Sequence, residues 1–240
     1  MQHFYQVKEK KLSKYKNILG IVLARGSSKG IKNKNLAKVN NKPLLYWSIQ
    51  SCKNSKKLHS YWVSSDSKKI LNFALKNKAK AILRPKKFST DKTLSESAWI
   101  HAVKELEKKQ IKFDCVVGIQ PTSPVREKKE IDKAINLFQS KKYDSVLSVY
   151  ESHIFIWKKK NNKILPNYNI FNRPMRQKIG KQYVENGSIY IFDKNKFLKI
   201  KNRLFGKIGL YIMKKYHSFE VDNLGDIRLI NNLKFFFNSK

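Results

Sequence analysis

The chain has 240 residues, enough for one well-packed α/β domain with an appendage. Basic residues number 52 against 17 acidic ones, a formal charge of +35, but the charge is spread along the whole chain and gathers in no tail or single helix. That spread argues against a dedicated nucleic-acid surface, no apolar run approaches the ~18 residues of a membrane span, and Cys52 and Cys115 have neither metal-ligand nor disulfide spacing.

Residues 1–17 are polar, carry five lysines and read as a mobile basic extension without a signal-peptide core. Ile18 to Ala24 is a near-continuous apolar run, the pattern of a strand buried in a parallel sheet. It empties into Arg25-Gly26-Ser27-Ser28-Lys29-Gly30, which places two cations and two hydroxyls on a flexible backbone. Open α/β folds hold anions in such loops. Gly26 and Gly30 can turn backbone N–H groups toward phosphate oxygens, while Arg25, Lys29 and Lys34 supply charge. Neither the P-loop pattern nor GxGxxG occurs.

Asn40-Asn41-Lys42-Pro43 marks a turn before a helix from Leu44 to Cys52. Strands are expected at Tyr61–Ser64, Ala79–Leu83, Cys115–Ile119 and Ser145–Val149. Helices are expected at Ser67–Lys78, at Thr93–Lys109, and around Ile131, Ala134, Ile135 and Phe138. This βα alternation predicts a doubly wound, mostly parallel α/β sheet. From His153 to about Tyr183 the rhythm breaks. His153–Trp157 reads as strand-like and Asn172–Gln177 as irregular, which predicts a protruding flap over residues 150–185. Gly187–Phe192 and Ile208–Met213 are strands again, and Leu229–Phe237 closes the chain as a helix. Residues 18–240 therefore read as one domain.

Arginine occurs only seven times among the basic residues, and five of those positions lie in motifs: Arg25, Arg84, Arg126, Arg173 and Arg176. In so lysine-rich a chain an arginine answers a need for fixed bidentate geometry. The motifs, in order, are LARGSSKGIKNKN (23–35), VSSD (63–66), RPKKFSTDKT (84–93), QPTSPVR (120–126), RPMRQ (173–177), VENGSIYIF (184–192) and EVDNLGD (220–226). With them the chain resembles the acylneuraminate cytidylyltransferase (CMP-sialic acid synthetase) family over nearly everything from Ile18 to Phe237.

The resemblance implies a Rossmann-like nucleotide-sugar transferase fold, CTP and an acidic 2-keto sugar as substrates, Mg²⁺ as cofactor, and a cytoplasmic homodimer whose flap forms contacts and reaches the partner's site. The anomeric hydroxyl of the sugar would attack the α-phosphate and pyrophosphate would leave. Such chemistry needs positioning and charge neutralisation more than covalent help from the protein. By the same resemblance the nucleotide site holds Leu23, Ala24, Arg25, Ser28, Lys29, Lys34 and Asn35, with Arg84, Thr93 and Ser95 at base and ribose. Gln120 bridges nucleotide and acceptor, and Arg173, Arg176 and Gln177 take the acceptor, whose carboxylate suits a bidentate arginine. Arg25, Lys34, Gln120 and Asp222 carry the catalysis.

Glu220 and Asp222 lie two apart and share one face of an extended strand. As hard oxygen ligands they suit Mg²⁺ bridging phosphate oxygens, Glu220 departing from the aspartate usual in the family. Asp226 reads as a cap on the last helix. No residue stands out as a general base. Arg126 receives no role, and His101, His153 and His217 read as structural or surface groups. The acceptor expected is a sialic-type nonulosonic acid, with legionaminic, pseudaminic or 3-deoxy-octulosonic acids as alternatives. From other classes, a basic nucleic-acid-binding protein and a non-catalytic relative remain as rivals.

Overall fold

The computed structural model describes residues 15–140 and 143–233. The first apolar run becomes β1 (Ile18–Leu23), followed by the two-residue strands β2 (Lys38–Val39) and β3 (Lys42–Pro43) and by α1 (Leu44–Asn54). Two further βα units follow: β4 (Ser60–Ser65) with α2 (Lys68–Lys76), and β5 (Lys80–Leu83) with α3 (Ser95–Lys108). Next come β6 (Cys115–Ile119), α4 (Glu130–Ser140) and β7 (Ser145–Ser152). The flap contributes β8 (Trp157–Lys160) and β9 (Lys163–Pro166), after which β10 (Gln182–Asp193), α5 (Lys194–Ile200), β11 (Ile208–Met213) and α6 (Leu224–Asn232) complete the described chain.

One sheet of seven strands runs in the order β11-β7-β10-β6-β1-β4-β5. β10 is antiparallel to both of its neighbours, and every other pairing is parallel. The chain leaves β1 toward β4 and β5, then returns to β6 on the other side of β1. That reversal creates a switch point at the carboxyl ends of β1 and β6, where open α/β sheets leave a crevice.

Apolar residues pack on both faces. Leu45 and Ile49 of α1, Ile70 and Ala74 of α2, and Ile135 and Phe138 of α4 cover one side of the sheet. Trp99, Val103 and Leu106 of α3 with Phe197 of α5 cover the other. Trp99 and Phe138 are wholly buried, one on each face, and truncating either to alanine would cost about 3–5 kcal/mol. A third cluster, with Val39, Leu44, Val125, Val221 and Ile230, docks α6 beside the switch point and fixes the EVDNLGD segment.

The expected βα order holds, and the differences have local causes. Tyr15, Lys16 and Asn17, expected in the mobile extension, are docked. The Tyr15 hydroxyl donates to Asp193, and the N–H groups of Lys16 and Asn17 donate to Asp114. Residues 1–14 lie outside the described residues. His153–Trp157 is not a strand, because β7 ends at Ser152; the flap strands are a hairpin turned by Asn161 and Asn162, both at positive φ (47° and 61°). β10 starts five residues before the expected strand, crossing a register shift between Glu185 and Tyr190. The last helix begins at Leu224, not Leu229, because Asn223 and Asp226 form a reciprocal capping box; residues 234–237 of the expected helix lie outside the described residues. His217 is buried, its Nδ1 2.9 Å from Glu130 and its Nε2 3.5 Å from Glu127, which ties the turn after β11 to α4. Cys52 and Cys115 are free and buried, and burial pushes the Cys52 thiol up to about 12.

Candidate active site

A cavity of about 340 Å³ opens at the carboxyl ends of β1, β5 and β6. Leu23 ends β1, while Arg84 and Gln120 directly follow β5 and β6, so three strands each deliver one lining residue. The loop after β1 adds Arg25, Ser28, Lys34 and Asn35, and the approach to α3 adds Thr93 and Ser95. These nucleotide-site residues were expected from scattered motifs, and here they converge. Ala24 and Lys29 do not line the cavity. Ala24 is buried behind the loop with its N–H on the Ser64 carbonyl, and Lys29 extends toward solvent.

Arg25, Lys29 and Lys34 each already face a carboxylate. Arg25 Nη1 donates to Asp91 Oδ1 at 2.7 Å, and Lys29 Nζ lies 3.7 Å from the other oxygen of Asp91. Lys34 Nζ donates to the Val221 carbonyl at 2.9 Å and to Asp222 Oδ1 at 3.0 Å. Partly exposed pairs of this kind are worth roughly 0–1 kcal/mol, so a polyanionic ligand can displace them. Asn35 Nδ2 donates to the Arg25 carbonyl at 2.8 Å and holds the loop in place. Gly26 works differently from the expectation: its N–H donates to Asp66 of the VSSD motif at 2.9 Å and is not directed at an anion. Gly30 is required for space, because a Cβ there would overlap the Asp222 carbonyl. The first loop and the EVDNLGD segment are thereby in backbone contact.

Arg84 is 3% exposed, and its Nε donates to Ser89 Oγ at 2.9 Å. Burial lowers its pKa from the usual arginine value, with Asp66 opposing and Arg25 adding to the shift. Thr93 Oγ1 donates to the Lys87 carbonyl at 3.0 Å and lies 2.6 Å from Thr90 Oγ1, which braces the wall of the cavity.

Glu220 and Asp222 do not line this cavity but adjoin residues that do: Asp222 is bonded to Lys34, and Glu220 packs on Gly187 close to the Gln120 side chain. Glu220 packs so closely on Gly187 that a Cβ there would overlap its carboxylate, and Gly187 adopts φ +62°. Burial raises the pKa of Glu220, and repulsion from Asp222 and Glu185 raises it further, opposed by Lys34 alone. Two hard carboxylates under mutual repulsion form a donor set that a divalent cation would relieve, so the residues present fit such an ion.

The expected acceptor residues of the flap do not reach this chain's own cavity. Arg173 stacks on Phe155 and Tyr168, its guanidinium 4.4 Å and 5.6 Å from the ring centres. Arg176 Nε donates to the His153 carbonyl at 3.0 Å, and Gln177 lies in the same exposed turn. Only Gln120 of the expected acceptor set lines the cavity.

Sequence reasoning missed Asp91 and Trp99. Asp91 stood inside RPKKFSTDKT, but an acid gives no sign in sequence that it will meet two cations. Trp99 lies against Gly118, and a Cβ at Gly118 would fall 2.8 Å from the indole. A lone glycine inside a β-branched strand was the available signal.

A family model described as cytidylyltransferase matches residues 19–236. The chain belongs to the cytidylyltransferase family. It is 34% identical over 217 residues to N-acylneuraminate cytidylyltransferase A of Danio rerio, a match covering 88% of this chain and 49% of that protein. It is 29% identical over 223 residues to the CMP-N,N'-diacetyllegionaminic acid synthase of Campylobacter jejuni, covering 90% and 94% respectively. The chain spans about half the length of the vertebrate and Escherichia coli N-acylneuraminate cytidylyltransferases it matches. Its fold is similar to that of CMP:2-keto-3-deoxy-manno-octonic acid synthetase, solved complexed with CTP, at a TM-score of 0.68 and 12% identity over 91% of this chain and 98% of that one. Among the described residues no helix is long and apolar enough to cross a membrane.

Proposed function

We propose that the protein transfers CMP from CTP to the anomeric hydroxyl of a nonulosonic acid, releasing pyrophosphate and forming a CMP-sugar for surface glycan synthesis. The observation that carries this reading is the convergence of Arg25, Lys34, Arg84 and Gln120 on one cavity at the switch point. The triphosphate takes Arg25 and Lys29 from Asp91, and their charge stabilises the leaving pyrophosphate. Arg84, Thr93 and Ser95 hold base and ribose, and Gln120 stands where nucleotide and acceptor meet. Lys34 keeps Asp222 and Val221 against the phosphate loop. Glu220 and Asp222 would hold Mg²⁺, which when bound neutralises phosphate charge and orients the reacting group.

The working unit is proposed to be a homodimer in the cytoplasm, where nucleoside triphosphates are made. The flap exposes Trp157, Ile164, Leu165, Ile170, Phe171 and Met175, Phe171 at 95%. Apolar surface this concentrated suits an interface. A second copy would also bring Arg173, Arg176 and Gln177 toward a neighbouring cavity.

Pyrophosphate release tests the reading, using CTP, Mg²⁺ and a panel of nonulosonic and octulosonic acids, with ATP, GTP and UTP as controls. Release with CTP and one acceptor alone is the expected result. Silence across the panel from folded protein would remove the catalytic reading. A legionaminic-type acceptor is the second reading, supported by the match along 94% of the Campylobacter jejuni synthase.

A further inference from the structure

Arg126 is the one motif arginine that the proposed reaction does not use, and it has the most fully engaged head group in the neighbourhood of the cavity. Its Nε donates to Ser188 Oγ at 2.7 Å and its Nη1 to Ser48 Oγ at 3.2 Å. Its Nη2 donates to two main-chain carbonyls, that of Gln120 at 2.7 Å and that of Ser188 at 3.1 Å. All of these acceptors are neutral oxygens. Burial of the head group pushes the guanidinium pKa down to about 10, against the pull of Cys52 and Glu130, so it remains a cation at neutral pH. A half-buried cation that bonds no carboxylate among the described residues is costly, and a chain that only needed to fill this volume would use an apolar side chain.

The carbonyls it holds identify what it does. Gln120 is the first residue beyond β6, and Ser188 lies inside the stretch where β10 breaks register with β7. That break leaves backbone groups outside the ladder. Gly187 takes its positive φ there, and the Glu220 carboxylate packs against it. The remaining groups of the break are also tied down. Ser123 Oγ donates to the Asn186 carbonyl, Ser148 Oγ donates to Asn186 Oδ1, and Asn186 Nδ2 donates to Ser218 Oγ. Arg126 is the member of this network that spans β6, β10 and α1 at once.

We propose that Arg126 is a positioning residue for the acceptor half of the site. It clamps the end of β6 to the β10 break and so sets the direction of the Gln120 side chain and the wall that carries Gly187 and Glu220. The inference rests on the proposed cytidylyl transfer for its kinetic form, but the clamp itself can be read without turnover. The nucleotide half hangs on other supports: Asn35 on Arg25, Asp66 on Gly26 and Ser89 on Arg84. Loss of the clamp therefore separates the two substrates. Lysine keeps the charge but lacks the planar fork that reaches two carbonyls and two hydroxyls together.

The test is Arg126→Lys in the full chain, compared with wild type by CTP titration calorimetry, steady-state kinetics and amide exchange. The expected result is a CTP Kd within about twofold of wild type, while kcat/KM for the acceptor falls about tenfold or more through displaced Gln120. Amides of Gln120, Ser123 and Ser188 should exchange faster than the rest of the sheet. Parallel loss of CTP affinity and acceptor kcat/KM, or no change in either, would overturn the proposal. Should the lysine variant not fold, Ser188→Ala removes only the Nε partner and is expected to lower acceptor kcat/KM about threefold at unchanged CTP affinity. An unchanged acceptor value in Ser188→Ala would also overturn it. If wild type releases no pyrophosphate with any acceptor, the proposed reaction fails on its own. The exchange rates then decide the clamp: unaltered exchange at Gln120 and Ser188 would count against it.

Discussion

Around the cavity the charged side chains are engaged: Arg25 with Asp91, Lys34 with Asp222, and Arg84 with Ser89. On the flap, large apolar side chains stand in solvent, Phe171 and Trp157 among them, and the arginines are held by the flap's own rings and carbonyls. The first region is a site assembled within one chain. The second is a set of exposed apolar side chains apart from that site. The difference teaches that the proposed nucleotide residues meet within one chain, whereas the proposed acceptor residues of the flap stand away from this cavity.

The sharpest way to break this comparison is beside the cavity. Asp222→Asn should lower turnover about a hundredfold or more and flatten its Mg²⁺ dependence, since the variant loses a hard anionic donor. An unchanged Mg²⁺ titration would place the cation elsewhere. Arg25→Ala should lower turnover at least about tenfold while leaving the melting temperature near wild type, because the side chain is bonded at a partly exposed loop end. Wild-type turnover in that variant would take the loop out of the mechanism.

On the flap, Arg176→Ala should raise the acceptor KM roughly fivefold with CTP affinity intact. Phe171→Asp should convert the proposed dimer to monomer in light scattering and bring the same acceptor defect. A monomeric variant with normal acceptor kinetics would show the flap to be independent of the site.

The smallest effect concerns Glu220. Its pKa is raised in the folded state by burial and by Asp222, so the folded chain holds that proton more tightly than the unfolded chain does. Its contribution to stability is therefore present below the unfolded value of 4.5 and is lost as pH rises through the higher folded value. Glu220→Gln should melt slightly above wild type at neutral pH and converge with it in acid. A variant that melts below wild type at neutral pH in the absence of divalent ions would contradict this environment.

The parts of the site legible in sequence were those fixed by local rules. Leu23, Arg84 and Gln120 each stand at the end of an apolar run, and a strand end in a parallel sheet points a residue at the crevice. Asp226 could be read as a cap because capping depends on residues three apart. Gly26 misled because a glycine-containing loop does not specify which of its N–H groups turn inward. Arg126 gave no readable role because its acceptors are neutral oxygens supplied by three separate elements.

By itself the sequence determined the βα order and the doubly wound class, since hydrophobic period is a local property. Tertiary structure decided the reversal of β10, the burial of Arg84, the pairing of Lys34 with Asp222 and the clamp on Gln120. Those depend on segments distant in the chain coming within a few ångströms, and no periodicity or spacing records such a meeting.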